Sequence, residues 1–384
     1  MNEYITIKNF GPLRNVDELS IMPFTIFIGE SASGKSTLMK VVAMMRFLYK
    51  MANIRSYLRH SNITKSPFRM RLSTMMDSQG LRKMFKKDSL LIYRIVMDDG
   101  SLYEVKIENG KLSIPIIAKE HLVFCKCSFI SENRNIIPTW SQKASSNKGA
   151  TLGFYFHETN DDFAKASFRD KVLDMRYIGM KMEITHPKGK PTRYQIAPVD
   201  SRHEPIELTE ASSGVQTSAP LLLIVDYLAK DFSFKDAFNR SVMSYLYETE
   251  RLDKFKAVSE PTGLPKIVDI HIEEPELSLF PDAQCRMIDE LVYTATHAKD
   301  DRKVNIMFAT HSPYILNYLN IMLNQNKEGR AKLSKDNTAI YRIYDGCIMN
   351  LLAKDDKGHD IVDTFDLTEM MTSIFNEYKE LTND

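Results

Sequence analysis

Apolar residues keep three rhythms along this chain. Pro23–Ile28 and Val304–Ala309 are short runs with few polar interruptions, and Ile267–Ile272 is a third, in which Asp269 and His271 alternate onto one face. Runs of this length predict strands buried on both faces, as in a parallel sheet. A second rhythm is alternation: Tyr4–Phe10 reads as a strand, and Leu90–Met97, Leu102–Ile107 and Leu112–Ile117 are separated by Asp99-Gly100 and Asn109-Gly110. Those turn dipeptides predict antiparallel hairpins. Further hairpins are expected from Lys181–Thr185 with Arg193–Ala197, and from Thr338–Tyr344 with Cys347–Leu352 about Asp345-Gly346. The third rhythm is helical. Lys35–Leu48 contains no Gly or Pro, Asp282–Thr296 has helical periodicity, and Leu367–Leu381 predicts a last helix. Past Gly214 the chain turns helical, with an amphipathic insert expected between Phe232 and Phe255. No heptad run is present, which removes a long coiled coil.

The 384 residues suffice for one large domain or two small ones. A charged fraction of 26% with a net charge of +1 argues against a wholly basic nucleic-acid-binding surface but leaves room for a local patch. One stretch, Lys50–Lys87, is such a patch: Arg55, Arg59, Lys65, Arg69, Arg71, Arg82, Lys83, Lys86 and Lys87 face a single acid, Asp77. Lys and Arg interrupt every apolar run, so no membrane span is expected. The strand-like opening lacks a basic leader, which predicts a cytoplasmic protein. Cys125, Cys127, Cys285 and Cys347 are too few and too irregularly spaced for a disulfide framework or a zinc site.

Chemistry enters at Gly29-Glu30-Ser31-Ala32-Ser33-Gly34-Lys35-Ser36-Thr37, which completes the phosphate-loop pattern GxxxxGK[ST] between an expected strand and an expected helix. Its backbone N–H groups and the helix start form a phosphate cradle. Lys35 should neutralise β- and γ-phosphate oxygens, and the Ser36 hydroxyl should ligate Mg²⁺. The Ile267–Ile272 run ends in Glu273-Glu274-Pro275-Glu276, an acidic strand end of Walker B shape, and the Val304–Ala309 run ends in Thr310-His311. Glu273 is assigned to the metal, Glu274 to the attacking water, and His311 to the γ-phosphate. Glu210-Ala211-Ser212-Ser213-Gly214-Val215-Gln216 precedes the helical region, placing Ser213 and Gly214 at a helix N-terminus suited to a phosphate.

In this order the segments resemble the ABC-type ATPases of the SMC/RecF/OLD (overcoming lysogenisation defect) group. The opening Ile5-Thr6-Ile7-Lys8-Asn9-Phe10-Gly11 is similar to that group's first strand, and Ala211–Gln216 to its OLD-like signature. The resemblance implies an α/β P-loop NTPase of the ABC-ATPase head type, with a mixed central sheet, an antiparallel β subdomain and a helical signature-motif subdomain. Within a single domain, 1–384, it implies a basic helical insertion at 50–90, an antiparallel β-rich part at 90–200, a signature subdomain at 208–262 and a Walker B and histidine lobe at 263–384. It also implies ATP and Mg²⁺, a homodimer or higher homo-oligomer closing Ser213, Gly214 and Gln216 over a partner's ATP, and a site role for Arg134 in Phe129-Ile130-Ser131-Glu132-Asn133-Arg134. Several positions depart from the group's pattern. Glu273 stands for the usual Asp, Val215 for the second signature Gly, and Ser278 and Phe280 for common histidines. Gln79 and Gln142 both remain open for the Q-loop. Only a hairpin and a helix are expected after His311, too little for a Toprim nuclease domain. The implied function is a sensor or regulator of a separate effector, a nuclease or toxin, in anti-phage defence. The alternative is a DNA-associated ATPase of the SMC/RecF type, touching nucleic acid through 50–87.

Overall fold

The computed structural model describes residues 1–63, 71–142, 153–200, 204–243, 246–247, 263–325 and 331–382. Lys65 and Arg69, and residues 248–255 of the expected insert, lie outside them.

A six-stranded sheet forms the centre. It contains β3 (Phe24–Ile28), β7 (Phe124–Ile130), β12 (Lys266–Glu273), β13 (Arg302–Thr310), β14 (Thr338–Tyr344) and β15 (Cys347–Asn350), in the order β15-β14-β3-β13-β12-β7. All neighbours are parallel except β14 and β15, which form the expected hairpin. The three apolar runs are adjacent here, and β3 is buried at every position because helices or a second sheet cover both faces.

Over one face lies α1 (Lys35–His60), 26 residues long with 17 buried. Its burial on several sides follows from its place between two sheets. The outer sheet is antiparallel, in the order β2-β1-β4-β5-β6, from β1 (Asn2–Phe10), β2 (Leu13–Ile21), β4 (Phe85–Val96), β5 (Leu102–Glu108) and β6 (Lys111–Ser113). One apolar core joins that sheet, α1 and the facing side of the central sheet. A second core, on the other side, gathers α5 (Ser213–Asp226), α7 (Pro281–Thr296), α8 (Pro313–Asn324) and a four-stranded antiparallel sheet. That sheet has the order β11-β10-β9-β8, from β8 (Lys171–Met175), β9 (Met180–Thr185), β10 (Arg193–Pro198) and β11 (Ile206–Glu207). Among the described helices, the short α2 (Leu72–Ser78), α3 (Ile137–Gln142) and α6 (Phe234–Phe238), together with α4 (Phe154–Ala166), complete the set before α9 (Phe365–Thr382).

Three expectations change. Residues 50–90 are not one helical insertion: α1 continues to His60, and Phe85 already opens β4. The expected strand Leu112–Ile117 stops at Ser113, since Pro115 has no N–H for the ladder. The 90–200 region is not wholly antiparallel, because β7 leaves it to join the parallel sheet beside β12. Among the described residues no helix is long and apolar enough to cross a membrane.

Candidate nucleotide site

The register of the central sheet assembles the site. Thr310 pairs with Ile28, and Glu273 pairs with Ala309, so the phosphate loop, the acidic turn and His311 all leave the same edge of adjacent parallel strands. Open parallel sheets bind ligands at that C-terminal edge.

Gly34 caps α1 at φ 108°, a conformation that a side chain resists, and Ala32 is left-handed at φ 63°. Lys35 is 5% exposed; its Nζ donates to the carbonyls of Gly29 (2.8 Å) and Glu30 (2.7 Å). The ammonium is therefore held inside the loop's own curve. Burial lowers its pKa, while Glu274, Glu276 and Glu30 act in the opposite sense. Ser31 and Ala32 are exposed, Ser33 and Ser36 half-buried, and Thr37 is buried with its hydroxyl toward Met84 Sδ (3.8 Å).

At the end of β12 the two acids part. Glu273 is 3% exposed, and its Oε1 makes no hydrogen bond. Lys40 Nζ stands 3.2 Å from that oxygen but off a hydrogen-bonding direction. Lys40 lies one helical turn beyond Ser36, so the Ser36 hydroxyl faces the same side. A buried oxygen lacking a hydrogen bond, next to the face of α1 that carries Ser36 and Lys40, fits a Mg²⁺ held mostly by phosphate and water. Glu274 turns away at φ 43°, a costly backbone for a non-glycine residue. Its Oε1 lies 3.6 Å from His311 Nε2. Burial raises the Glu274 pKa, and the neighbouring Glu276, Glu132 and Glu273 add to it. Burial lowers the His311 pKa, as does Lys35, so the ring is neutral at neutral pH.

Glu276 is the residue that motif reading left without a role. Its Oε1 accepts from Thr310 Oγ1 (2.7 Å) and from the His311 backbone N–H (2.8 Å), fixing the start of the histidine turn. Its spacing after Glu273-Glu274 was visible, but only the register of β12 and β13 shows what it meets.

Arg134 departs from expectation. It is 0% exposed, and among the described residues its guanidinium donates only to backbone carbonyls: Thr217 (3.1 Å), Ser131 (3.2 Å), Glu273 (2.7 Å) and Glu274 (2.5 Å). Four of its five N–H groups are spent on these carbonyls, and the buried side chain presents no exposed face to a nucleotide. Instead it ties the acidic turn to α5, and burial pushes its pKa down to about 10.

Ser213 opens α5 exposed, and Ser212 in the cap position makes no side-chain capping bond, leaving first-turn N–H groups free. Gly214 packs so closely that a Cβ would meet the Ser278 carbonyl at 2.8 Å. Gln216 turns back, donating to the carbonyls of Thr209 (3.0 Å) and Ala211 (2.8 Å). Among the described residues no hydrogen bond joins Ser213, Gly214 or Gln216 to the phosphate loop. Gln79 accepts from the Tyr155 hydroxyl (3.3 Å), and that ring lies 5.2 Å from Lys40 Nζ, so Gln79 reaches the site only through Tyr155. The Gln142 side chain is outside the described residues. Cys125 is buried, and burial pushes the Cys127 thiol up to about 12, so both are inert packing groups.

No family model matches the chain, and no curated protein does. Among solved structures it is similar to an SMC head bound to the C-terminal winged-helix domain of ScpA, at 12% identity and a TM-score of 0.37, covering 93% of this chain and 98% of that one. It is similar also to the SMC head domain of Thermotoga maritima (11% identity, TM-score 0.37, 92% and 99% covered). A third is the SMC head with an extended coiled coil, bound to the C-terminal domain of ScpA and derived from Pyrococcus furiosus (11% identity, TM-score 0.36, 98% and 99% covered). At these identities and TM-scores the similarity assigns neither family nor activity.

Proposed function

We propose that the chain binds ATP with Mg²⁺ in the 29–37 loop and hydrolyses it beside Glu274 and His311, as an ABC-type ATPase. The observation that carries this reading is the junction at one sheet edge of a phosphate loop, a buried carboxylate oxygen without a hydrogen bond, and an acid and a histidine 3.6 Å apart. Loop N–H groups and Lys35 hold the phosphates; Ser36 and Glu273 would hold Mg²⁺, which supplies charge neutralisation at the phosphate oxygens. Glu274 takes the proton of the attacking water, a role its raised pKa and its distance from His311 suit. Neutral His311 donates one N–H to the γ-phosphate. The exposed N-terminus of α5 is proposed to close over the nucleotide of a second copy, which makes ATP the bond between two chains. On this reading the protein is a nucleotide-gated regulator of a separate effector, with anti-phage defence as the setting drawn from the sequence resemblance.

The test is phosphate release from ATP. Glu274→Gln should keep ATP binding and slow hydrolysis about 10²-fold or more, while Lys35→Ala should abolish binding. A Glu274→Gln protein that turns over at the wild-type rate sinks the assignment. A second reading, an ATPase of DNA maintenance, is favoured by Arg82, Lys83, Lys86 and Lys87: all are exposed, and none is within ion-pair distance of a carboxylate among the described residues. Duplex binding that falls steeply with salt and vanishes when those four are neutralised would select it.

A further inference from the structure

Behind the phosphate site, on the α1 side of the central sheet, lies a cavity of about 700 Å³. Its walls are α1, α2, β7, α4 and His271 of β12, and the nucleotide chemistry proposed above uses none of its interior. That volume falls in the range of small-molecule sites, which are mostly apolar with a few convergent polar groups. The lining has this character. Phe47, 39% exposed on an otherwise deeply buried stretch of α1, lines the space together with Phe129, Phe154 and Tyr155. Phe129 and Tyr155 pack against each other on that wall, ring centroids 4.1 Å apart and planes inclined by 39°.

The charges are asymmetric. Lys50 and Arg71 line the cavity, and among the described residues neither has a carboxylate within ion-pair distance. Lys126 also lines it but is already paired with Asp162 at 2.8 Å, and Glu158 is the one acid in the wall. Two cations without an ion-pair partner, in a lining rich in aromatic side chains, suit an anion carried on an apolar ring. Burial raises the pKa of Glu158, while Lys126 and Lys50 act on it in the opposite sense.

The geometry points to a second ligand site here, for a small aromatic anion such as an aryl carboxylate, sulfonate or nucleoside monophosphate. Lys50 and Arg71 take the acid group, and Phe47 and Tyr155 take the ring. The site goes beyond the ATPase reading and does not depend on it. Its Tyr155 wall separates the ligand from Lys40, the cation beside Glu273.

The experiment titrates the full chain with 8-anilinonaphthalene-1-sulfonate and, in parallel, with the uncharged N-phenyl-1-naphthylamine, following probe fluorescence. The anionic probe should bind one per chain and at least tenfold more tightly than the neutral one. Lys50→Gln with Arg71→Gln should weaken the anion at least tenfold and leave the neutral probe unchanged. Both replaced side chains are solvent-accessible, so the fold is preserved, and circular dichroism checks it. Ala43→Phe, filling the cavity from α1, should remove binding of both probes. Equal affinity for the two probes, anion affinity within twofold in the double variant, or unchanged binding in Ala43→Phe would each overturn the proposal. Because the readout is binding without ATP, its failure is separate from any failure of hydrolysis.

Discussion

Arg46 and Arg134 are both buried in this protein, and they are held in opposite ways. Arg46, on α1, is 2% exposed and surrounded by carboxylates: Glu3 Oε2 at 2.9 Å and Asp269 Oδ1 at 3.4 Å, with Tyr93 and Asn305 donating to the same acids. Burial works against its charge, but Asp269 and Glu3 outweigh it, and its pKa is raised well above the usual value. Arg134 is more deeply buried still and, among the described residues, hydrogen-bonds only to carbonyls; burial wins, and its pKa falls to about 10. A buried cation without a carboxylate is the costlier arrangement. The first arginine binds β1, α1 and β12 into one core. The second stands where Glu274 bends through a left-handed backbone and joins that bend to α5. Stability is the business of Arg46, and the shape of the acidic turn is the business of Arg134.

The sharpest way to break this contrast is Arg46→Met. It strands Glu3 and Asp269 as buried, uncompensated carboxylates, which costs about 3–5 kcal/mol. The denaturant midpoint should fall accordingly, with residual ATP binding retained wherever the protein remains folded. A loss below about 1 kcal/mol would mean that this pair behaves like a surface ion pair.

Arg134→Gln should invert the pattern. Fewer donors remain for the Glu273, Glu274 and Thr217 carbonyls, and each unsatisfied buried acceptor costs about 1–3 kcal/mol. The distinguishing result is kinetic. Hydrolysis should fall about 10- to 100-fold with ATP affinity nearly unchanged, because the loop and Lys35 are untouched, and Arg134→Lys should restore part of the rate. If ATP affinity falls as far as the rate does, Arg134 acts on the whole edge and not on the Glu274 turn.

The same contrast marks what a sequence discloses. The phosphate loop, β12, β13 and the hairpin β9–β10 were legible because their signals are local: a fixed glycine spacing, a short and mostly apolar run, a turn between alternating segments. Strand β2 was not legible. Its buried residues Leu13, Val16, Leu19 and Ile21 are spaced three, three and two apart, because the register slips opposite β1 and Glu18 adopts φ 42°. Neither period describes such a strand. Arg134 was legible as a residue worth marking but not as a clamp, since its four partners come from 131, 217, 273 and 274. Lys40 and Tyr155 carried no motif at all. Their place beside Glu273 depends on α1 and α4 crossing the same sheet.

The smallest expected effect separates the two arginines by pH. His271 lies 3.3 Å from Arg46 and donates from Nδ1 to the Ser128 carbonyl (2.9 Å), which leaves Nε2 to accept from the guanidinium. Burial, helped by Arg46, pushes its pKa down to about 3 from the ordinary 6.5. Between those values the unfolded chain carries a proton that the folded chain refuses. Stability from this group is complete above pH 6.5 and is lost as pH falls, at most about 1.4 kcal/mol per pH unit. Carboxylates whose pKa is raised by burial, Glu158, Glu274 and Glu290, act with the opposite sign. Total stability is therefore the wrong readout; the difference between wild type and His271→Leu is the right one. That difference should shrink steadily from pH 6.5 to pH 4.5, while Arg134→Gln measured the same way should show no step in this window. A constant difference across the window would mean that His271 takes its proton in place, with Arg46 moving aside to admit it.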